Sequence, residues 1–358
     1  MEGRCKMEKY KVIAYIADWA EWEAHEIDGN RLTHINYAFA TIEKGRVVDK
    51  VLGQEMKNIH KLKNLKARYS QLNMLISIGG WGADGFSDAA LTRESRKVFA
   101  DSAIGFMKRY EFDGIDIDWE YPCSSEAGIV ARPEDKRNFT LLLKELRERL
   151  NRQEEQDDRK YYLTIAAGAG QYFIDGTEMC QAQKYLDYIN LMTYDYSSGN
   201  SRIAGHHTNL FPSVMYPGSS CCESVELFLK EGIPASRLLL GAASYGRSWS
   251  GVCGVNHGLG QPGDPGCRAV HTGYGYMHDH VVDKNGFTRY WDNDARAPFL
   301  YDGNIFISYD DEESVQYKTE YVKDKGLGGM FFWEYSSDKP GRLLKVMYDN
   351  LIKGGAVS

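Results

Sequence analysis

Short apolar runs rich in β-branched and aromatic residues recur along the chain, and the stretches between them repeat their apolar positions with helical spacing. Runs of the first kind read as buried strands and stretches of the second as amphipathic helices. The predicted strands are Lys11–Ala17, Thr33–Ala40, Asn73–Ile78, Gly114–Trp119, Tyr162–Ala167, Tyr188–Thr193, Leu238–Ala243 and Gly328–Trp333, eight in all. Helices are predicted over Lys57–Tyr69, Arg93–Tyr110, Pro133–Arg152 and Ser224–Glu231, with Pro133 in a first turn and Gly232 just past an end. Eight strands alternating with helices close most economically into an α/β fold, the (β/α)8 TIM barrel.

The seventh and eighth strands are separated by far more chain than any other neighbouring pair. The intervening sequence is rich in glycine and aromatics, with strand-like pieces at Phe287–Trp291 and Asn304–Ser308. A helix over Asp311–Lys325 follows, with Asp310 as its expected cap and Gly326 as its stop. The organisation expected is a barrel domain over residues 8–246 and 310–354, carrying a small α+β insertion subdomain over residues 247–309 between strands 7 and 8.

The fourth strand breaks the apolar rule. Side chains of a strand repeat along one face about every 6.6 Å, so Asp116, Asp118 and Glu120 share a face while Ile115, Ile117 and Trp119 take the other. Buried, mutually repelling carboxylates are costly unless they share protons and hydrogen bonds for a task. Asp113 has the wrong parity to join them and reads as structural, bonding backbone groups where the strand enters.

Composition narrows the task. A chain of 358 residues with 43% hydrophobic content buries a large core and is globular. A net charge of −7 without any Lys/Arg block argues against nucleic acid or an anionic membrane as partner. The chain shows neither a membrane-length apolar stretch nor a signal-peptide pattern at its start. Seven cysteines, including adjacent Cys221 and Cys222, do not form a disulfide framework; the pattern leans towards a cytoplasmic protein, with a trimmed secreted form as the alternative. Cys253 and Cys267 either pair in an oxidising compartment or remain thiols. With neither CxxC nor HExxH, no metal site is expected.

In barrels of this kind the active site lies at the C-terminal ends of the strands. The first strand ends with Tyr15, Asp18 and Trp19, the second with Tyr37 and Phe39, and the third with Ser77–Trp81. The sixth ends in Met192–Tyr196, the seventh runs into Tyr245–Trp249, and the eighth ends in Phe331–Asp338. Aromatic walls around acids suit sugars, whose apolar ring faces stack while their hydroxyls hydrogen-bond.

Taken together these motifs resemble glycoside hydrolase family 18, the chitinases and their relatives. The resemblance rests on DxxDxDxE (Asp113, Asp116, Asp118, Glu120), SxGG (Ser77–Gly80), MxYD (Met192–Asp195), YGR (Tyr245–Arg247) and the terminal-strand Trp333, all in order. The insertion looks like the chitinase insertion domain. The resemblance implies substrate-assisted, retaining hydrolysis of β-1,4 bonds in chitin or N-acetylglucosamine oligosaccharides, in which the 2-acetamido oxygen is the nucleophile. Glu120 would be the acid and then the base. Asp118 would hold the acetamido N–H, Asp116 would share its proton, and Tyr194 would bind the acetamido oxygen.

The resemblance further implies that Trp333 floors the subsite where the sugar distorts, with Tyr15, Phe39 and Met192 around the acetamido pocket. Asp195, Tyr245 and Arg247 would bind the sugar, Trp81 would stack on the leaving-group side beside Gly80, and Tyr121 would line the same site. No cofactor or metal is implied, and the chain is expected to act as a monomer. Two alternatives stand beside this reading: an endo-β-N-acetylglucosaminidase acting on N-glycan cores, and a chitinase-like lectin that binds without cutting. Arg247 could instead pair with a surface acid, and His206 and His207 are expected to pack loops rather than bind a metal. Trp19, Trp22, Trp249 and Trp291 could extend the groove or pack loops.

Overall fold

A computed structural model describes residues 10–51 and 54–353, so residues 8, 9, 52, 53 and 354 of the expected barrel domain lie outside the described residues. Eight parallel strands form the barrel: β1 (Lys11–Ala17), β2 (His34–Glu43), β3 (Asn73–Gly79), β4 (Gly114–Asp118), β5 (Tyr162–Gly168), β6 (Tyr188–Met192), β7 (Leu238–Ala243) and, after the insertion, β13 (Gly329–Trp333). Each pairs with its neighbour in chain order, and β1 closes the ring by pairing with both β2 and β13. The fold class is the (β/α)8 barrel that the alternating pattern predicts.

The parity of β4 is as expected. Ile115, Ile117 and Trp119 join the apolar layer between strands and helices, where Trp119 stacks on Phe86 with centroids 5.3 Å apart. The barrel interior holds a separate cluster built from Ile13, Tyr15, Ala38, Phe39, Met192, Leu239 and Phe331. Tyr37 and Phe39 stand two apart on β2 but face different layers, because the register shifts between Ala38 and Ala40 and turns Phe39 inward. Tyr37 leaves the mouth for the outer layer, where its hydroxyl donates to buried Asp18.

Helix boundaries move where side chains capture backbone. The first helix runs Lys61–Arg68, not from Lys57, because the amides of Lys57 and Asn58 donate to Asp18 at 2.8 and 2.9 Å. Asp18 is therefore a structural knot, not part of the open mouth. The long helix spans Asp135–Asp157, so Pro133 lies before its first turn. The other two predicted helices run Arg93–Arg109 and Cys221–Lys230, with Gly232 at positive φ just beyond the latter. In the last long helix, Glu312–Lys325, Asp311 is the cap, accepting from Ser314 N at 2.9 Å. Asp310, expected in that role, points inward to the buried Lys318 ammonium at 2.6 Å.

Between β7 and β13 lies a five-stranded antiparallel sheet: β8 (Arg247–Ser250), β9 (Asp264–Pro265), β10 (Thr288–Asp292), β11 (Ala297–Tyr301) and β12 (Phe306–Ser308), in the order β9-β8-β12-β11-β10. A short helix, Tyr274–His280, completes it. Its own apolar cluster centres on Trp249, Phe299 and Phe306. Cys253 and Cys267 are free thiols. Among the described residues no helix is long and apolar enough to cross a membrane.

Candidate active site

The carboxylates of β4 sit in three different environments. Asp116 is fully buried, and both its oxygens are occupied by neutral donors from other strands: Tyr15 Oη at 2.8 Å, Ser77 Oγ at 2.7 Å, Thr164 Oγ1 at 2.6 Å and Asn190 Nδ2 at 3.4 Å. Burial raises its pKa while these four donors pull it down. Asp118 is 4% exposed, and no hydrogen bond reaches its Oδ1. Burial, then the charges of Glu120 and Asp116, push its pKa well up. Asp116 lies close enough for its charge to act on Asp118, but four donors from other strands meet its own oxygens. Its capacity is taken by β1, β3, β5 and β6.

Glu120 stands just beyond the strand, half-buried. Its pKa is raised to about 7, chiefly by burial, with the charge of Asp195 adding and Tyr121 opposing. A carboxyl poised there exists in both protonation states near neutrality, which general acid-base work requires.

The approach of β3 to these acids requires glycine. Gly79 has φ 122°, and a Cβ there would lie 2.0 Å from the Asp118 carbonyl oxygen. Gly80 has φ 93°, a Cβ on it would meet the Phe39 ring at 2.6 Å, and its N–H donates to Asp118 O at 2.9 Å. Gly80 thus supports the backbone of Asp118.

Aromatic rings enclose the acids. Trp333 stacks on Phe39 with centroids 5.5 Å apart and planes at 13°, and packs against Tyr15 at 5.7 Å. Trp19, 46% exposed, extends this surface by lying 6.2 Å from Trp333. On the opposite side Trp81, 59% exposed, meets Tyr121 edge-on at 6.2 Å, and Tyr121 meets Tyr172 at 5.0 Å. Tyr194 packs against Phe331 at 6.0 Å and Tyr245 at 6.2 Å, and Met192 lies in the same cluster. Trp22 and Trp249 are buried, the former against Tyr37 and the latter within the insertion sheet's own cluster. Trp291 packs on Tyr317, 5.9 Å away.

Asp195, at φ 61°, is gripped by Arg247 through Nε–Oδ1 at 2.6 Å and Nη2–Oδ2 at 2.7 Å. Arg247 therefore pairs with a site acid, not a surface one, and it also lies over the Tyr245 ring at 5.1 Å. Burial would raise Asp195, but the adjoining His207 ring and the paired hydrogen bonds and charge of Arg247 outweigh it and hold the carboxyl well below its ordinary range. His207 is completely buried with Nδ1 3.5 Å from Asp195 Oδ1, and His206 pairs with Asp292 at 3.1 Å. Each imidazole thus approaches one carboxylate, His206 at hydrogen-bonding distance and His207 just beyond it. Among the described residues no group of three or more His, Cys, Asp or Glu side chains is placed to hold a metal.

Sequence reasoning missed Thr164 and Asn190 as partners of Asp116, and Tyr172 as an exposed ring beside Tyr121. Inward parity on β5 and β6 was the available signal for the first two.

A barrel with buried acids at its strand ends, ringed by aromatic surfaces, defines the class of glycoside-processing enzymes. Residues 11–338 match the family described as Glycosyl hydrolases family 18, and the chain belongs to that family. It is 36% identical to chitinase A1 of Niallia circulans over 98% of its own length, but spans only 60% of that protein. It is 30% identical to chitotriosidase-1 of Mus musculus, covering 92% of this chain and 73% of that one. Among solved structures it resembles a family 18 N-acetylglucosaminidase from Paenibacillus barengoltzii, with TM-score 0.88, 46% identity, and 96% and 100% of the two chains covered.

Proposed function

We propose that this chain hydrolyses β-1,4 bonds between N-acetylglucosamine units by a retaining, substrate-assisted route. One observation carries the reading: Asp118 is a buried carboxyl whose Oδ1 has no partner, set between a saturated Asp116 and a Glu120 raised to about 7. An acetamido N–H entering this pocket supplies the missing donor. The acetamide is thereby oriented so that its oxygen attacks the anomeric carbon.

In this scheme Glu120 donates its proton to the glycosidic oxygen. The C–O bond breaks, the acetamido oxygen closes an oxazolinium ring, and the Glu120 carboxylate then draws a proton from the water that opens it. Asp118 offsets the positive charge developing on the acetamide nitrogen, and Tyr194 faces its oxygen. Trp333 with Phe39 forms the floor, Tyr15 and Met192 close the pocket, and Asp195, Arg247 and Tyr245 bind the sugar's polar rim. Trp81 and Tyr121 stack on the leaving-group side, the former beside Gly80.

Short oligosaccharides are the preferred substrate, a choice supported by the likeness to a structure described as an N-acetylglucosaminidase. The enzyme acts as a monomer, in the cytoplasm or as a trimmed secreted form, with residues 247–309 as an insertion subdomain on a barrel built from the flanking chain. The test is a product time course on N-acetylglucosamine hexamer, read for anomeric form and chain length. The β-anomer is expected first, and an α-anomer or an inert hexamer would sink the proposal. A high-mannose glycopeptide assayed alongside should remain intact.

A further inference from the structure

The two partners of Asp195 differ sharply in rigidity. Arg247 is a long side chain, 40% exposed, whereas the ring of His207 is 0% exposed. His207 is also held by its backbone at both ends: its N–H donates to Ser308 Oγ at 2.9 Å, and its carbonyl accepts from Tyr196 N at 3.2 Å. Ser308 lies on β12, directly opposite Arg247 of β8 in the antiparallel register. Both residues that flank Asp195 are therefore set by one position of the insertion sheet.

The ring itself has nowhere else to turn. Tyr245 covers it at 5.3 Å, neither ring nitrogen completes a hydrogen bond, and Nδ1 lies 3.5 Å from Asp195 Oδ1. Buried polar groups are normally satisfied, and the Asp195 carboxylate is an acceptor within a small shift of this imidazole. Asp195 itself occupies the left-handed region, uncommon for a residue other than glycine although aspartate tolerates it better than most.

We infer that His207 is a positioning residue: as the neutral Nδ1–H tautomer it holds the buried flank of Asp195, so that this anion keeps its orientation towards Glu120 and the sugar when Arg247 moves with the substrate. The inference rests on the role proposed for Asp195. The charged and titratable groups facing the ring are Asp195, Arg247, Tyr245 and Asp310, the last already neutralised by Lys318. Burial and Arg247 oppose protonation of the ring and outweigh the two carboxylates, and its pKa is lowered accordingly.

The test pairs two variants with a spectrum. His207→Phe keeps an aromatic ring and loses the donor, whereas His207→Asn places an amide nitrogen where Nδ1 stood. On hexamer, kcat should fall about tenfold in His207→Phe, the size expected for one hydrogen bond to a charged group, with KM changed less than about twofold, and His207→Asn should restore most of it. A packing role alone would spare kcat in the folded Phe variant or leave Asn no better than Phe, and either result overturns the inference. Nitrogen NMR of 15N-histidine-labelled wild type, assigned by the signal lost in His207→Asn, decides independently of turnover. The Nδ1–H tautomer is expected, and an Nε2–H or charged ring refutes it. If wild type leaves the hexamer uncut, the proposed function fails while the tautomer still reports on the contact.

Discussion

Asp113 leads into β4 and Asp118 ends it; both are carboxylates 4% exposed, so burial alone does not distinguish them. Their partners separate them. Asp113 is paired with Lys66 and Arg159 and accepts from Met74 N at 2.8 Å. Asp118 has an oxygen that nothing contacts by hydrogen bond. A buried acid whose bonding capacity is filled by the protein is part of the scaffold, and one left unfilled is reserved for what enters. Asp116, filled by four donors, belongs with Asp113 on this criterion although it shares a face with Asp118.

The sharpest way to break the comparison is at its catalytic end. Glu120→Gln should lower kcat by about a thousandfold or more while oligosaccharide binding, measured by calorimetry, persists. A variant retaining most of its turnover would remove Glu120 from the chemistry. At the other end Asp113→Ala should cost about 3 kcal/mol of stability in denaturant titration, less than a fully buried pair because Lys66 and Arg159 reach water. Its kcat per folded molecule should match wild type.

A subtler consequence concerns pH. The pKa of Glu120 is raised from 4.5 to about 7 by folding. The native state therefore binds more protons than the unfolded state between those values, and stability falls as pH rises through that window. Glu120→Gln should accordingly be more stable than wild type at pH 8, by about 2 kcal/mol after allowance for its partial exposure. That difference should shrink towards pH 4.5, and an equal gap at both ends would contradict the assignment. The smallest effect is expected at Ser77→Ala, which removes one of four donors to Asp116. A loss of about 1 kcal/mol in stability and a change of only a few-fold in kcat would confirm that Asp116 is supported redundantly.

The strand pattern made the barrel legible, because burial on both faces writes long apolar runs, and the alternation of Asp116, Asp118 and Glu120 marked the site directly. Helix starts were less legible. Asp18 capturing the amides of Lys57 and Asn58 is a long-range event that periodicity does not record. Strand β11, with Pro298 near its start, lacked a strand signature and went unread. The cradle around Asp116 depends on which residues face inward at one level on four strands, and the grip on Asp195 joins positions 195, 207 and 247 through the pairing of β8 with β12. Such contacts belong to tertiary register and have no local trace.

The anchoring of His207 and Arg247 at Ser308 bears on how such enzymes can be rebuilt. Trimming the insertion to open the groove for bulkier glycans, or exchanging it for that of a relative, would also remove Arg247 and the Ser308 hydroxyl that anchors His207, and with them the control of Asp195's orientation. A transplant that preserves the β8–β12 pairing carries this control with it, and one that cuts through the pairing leaves a wider groove with a displaced charge beside its proton donor.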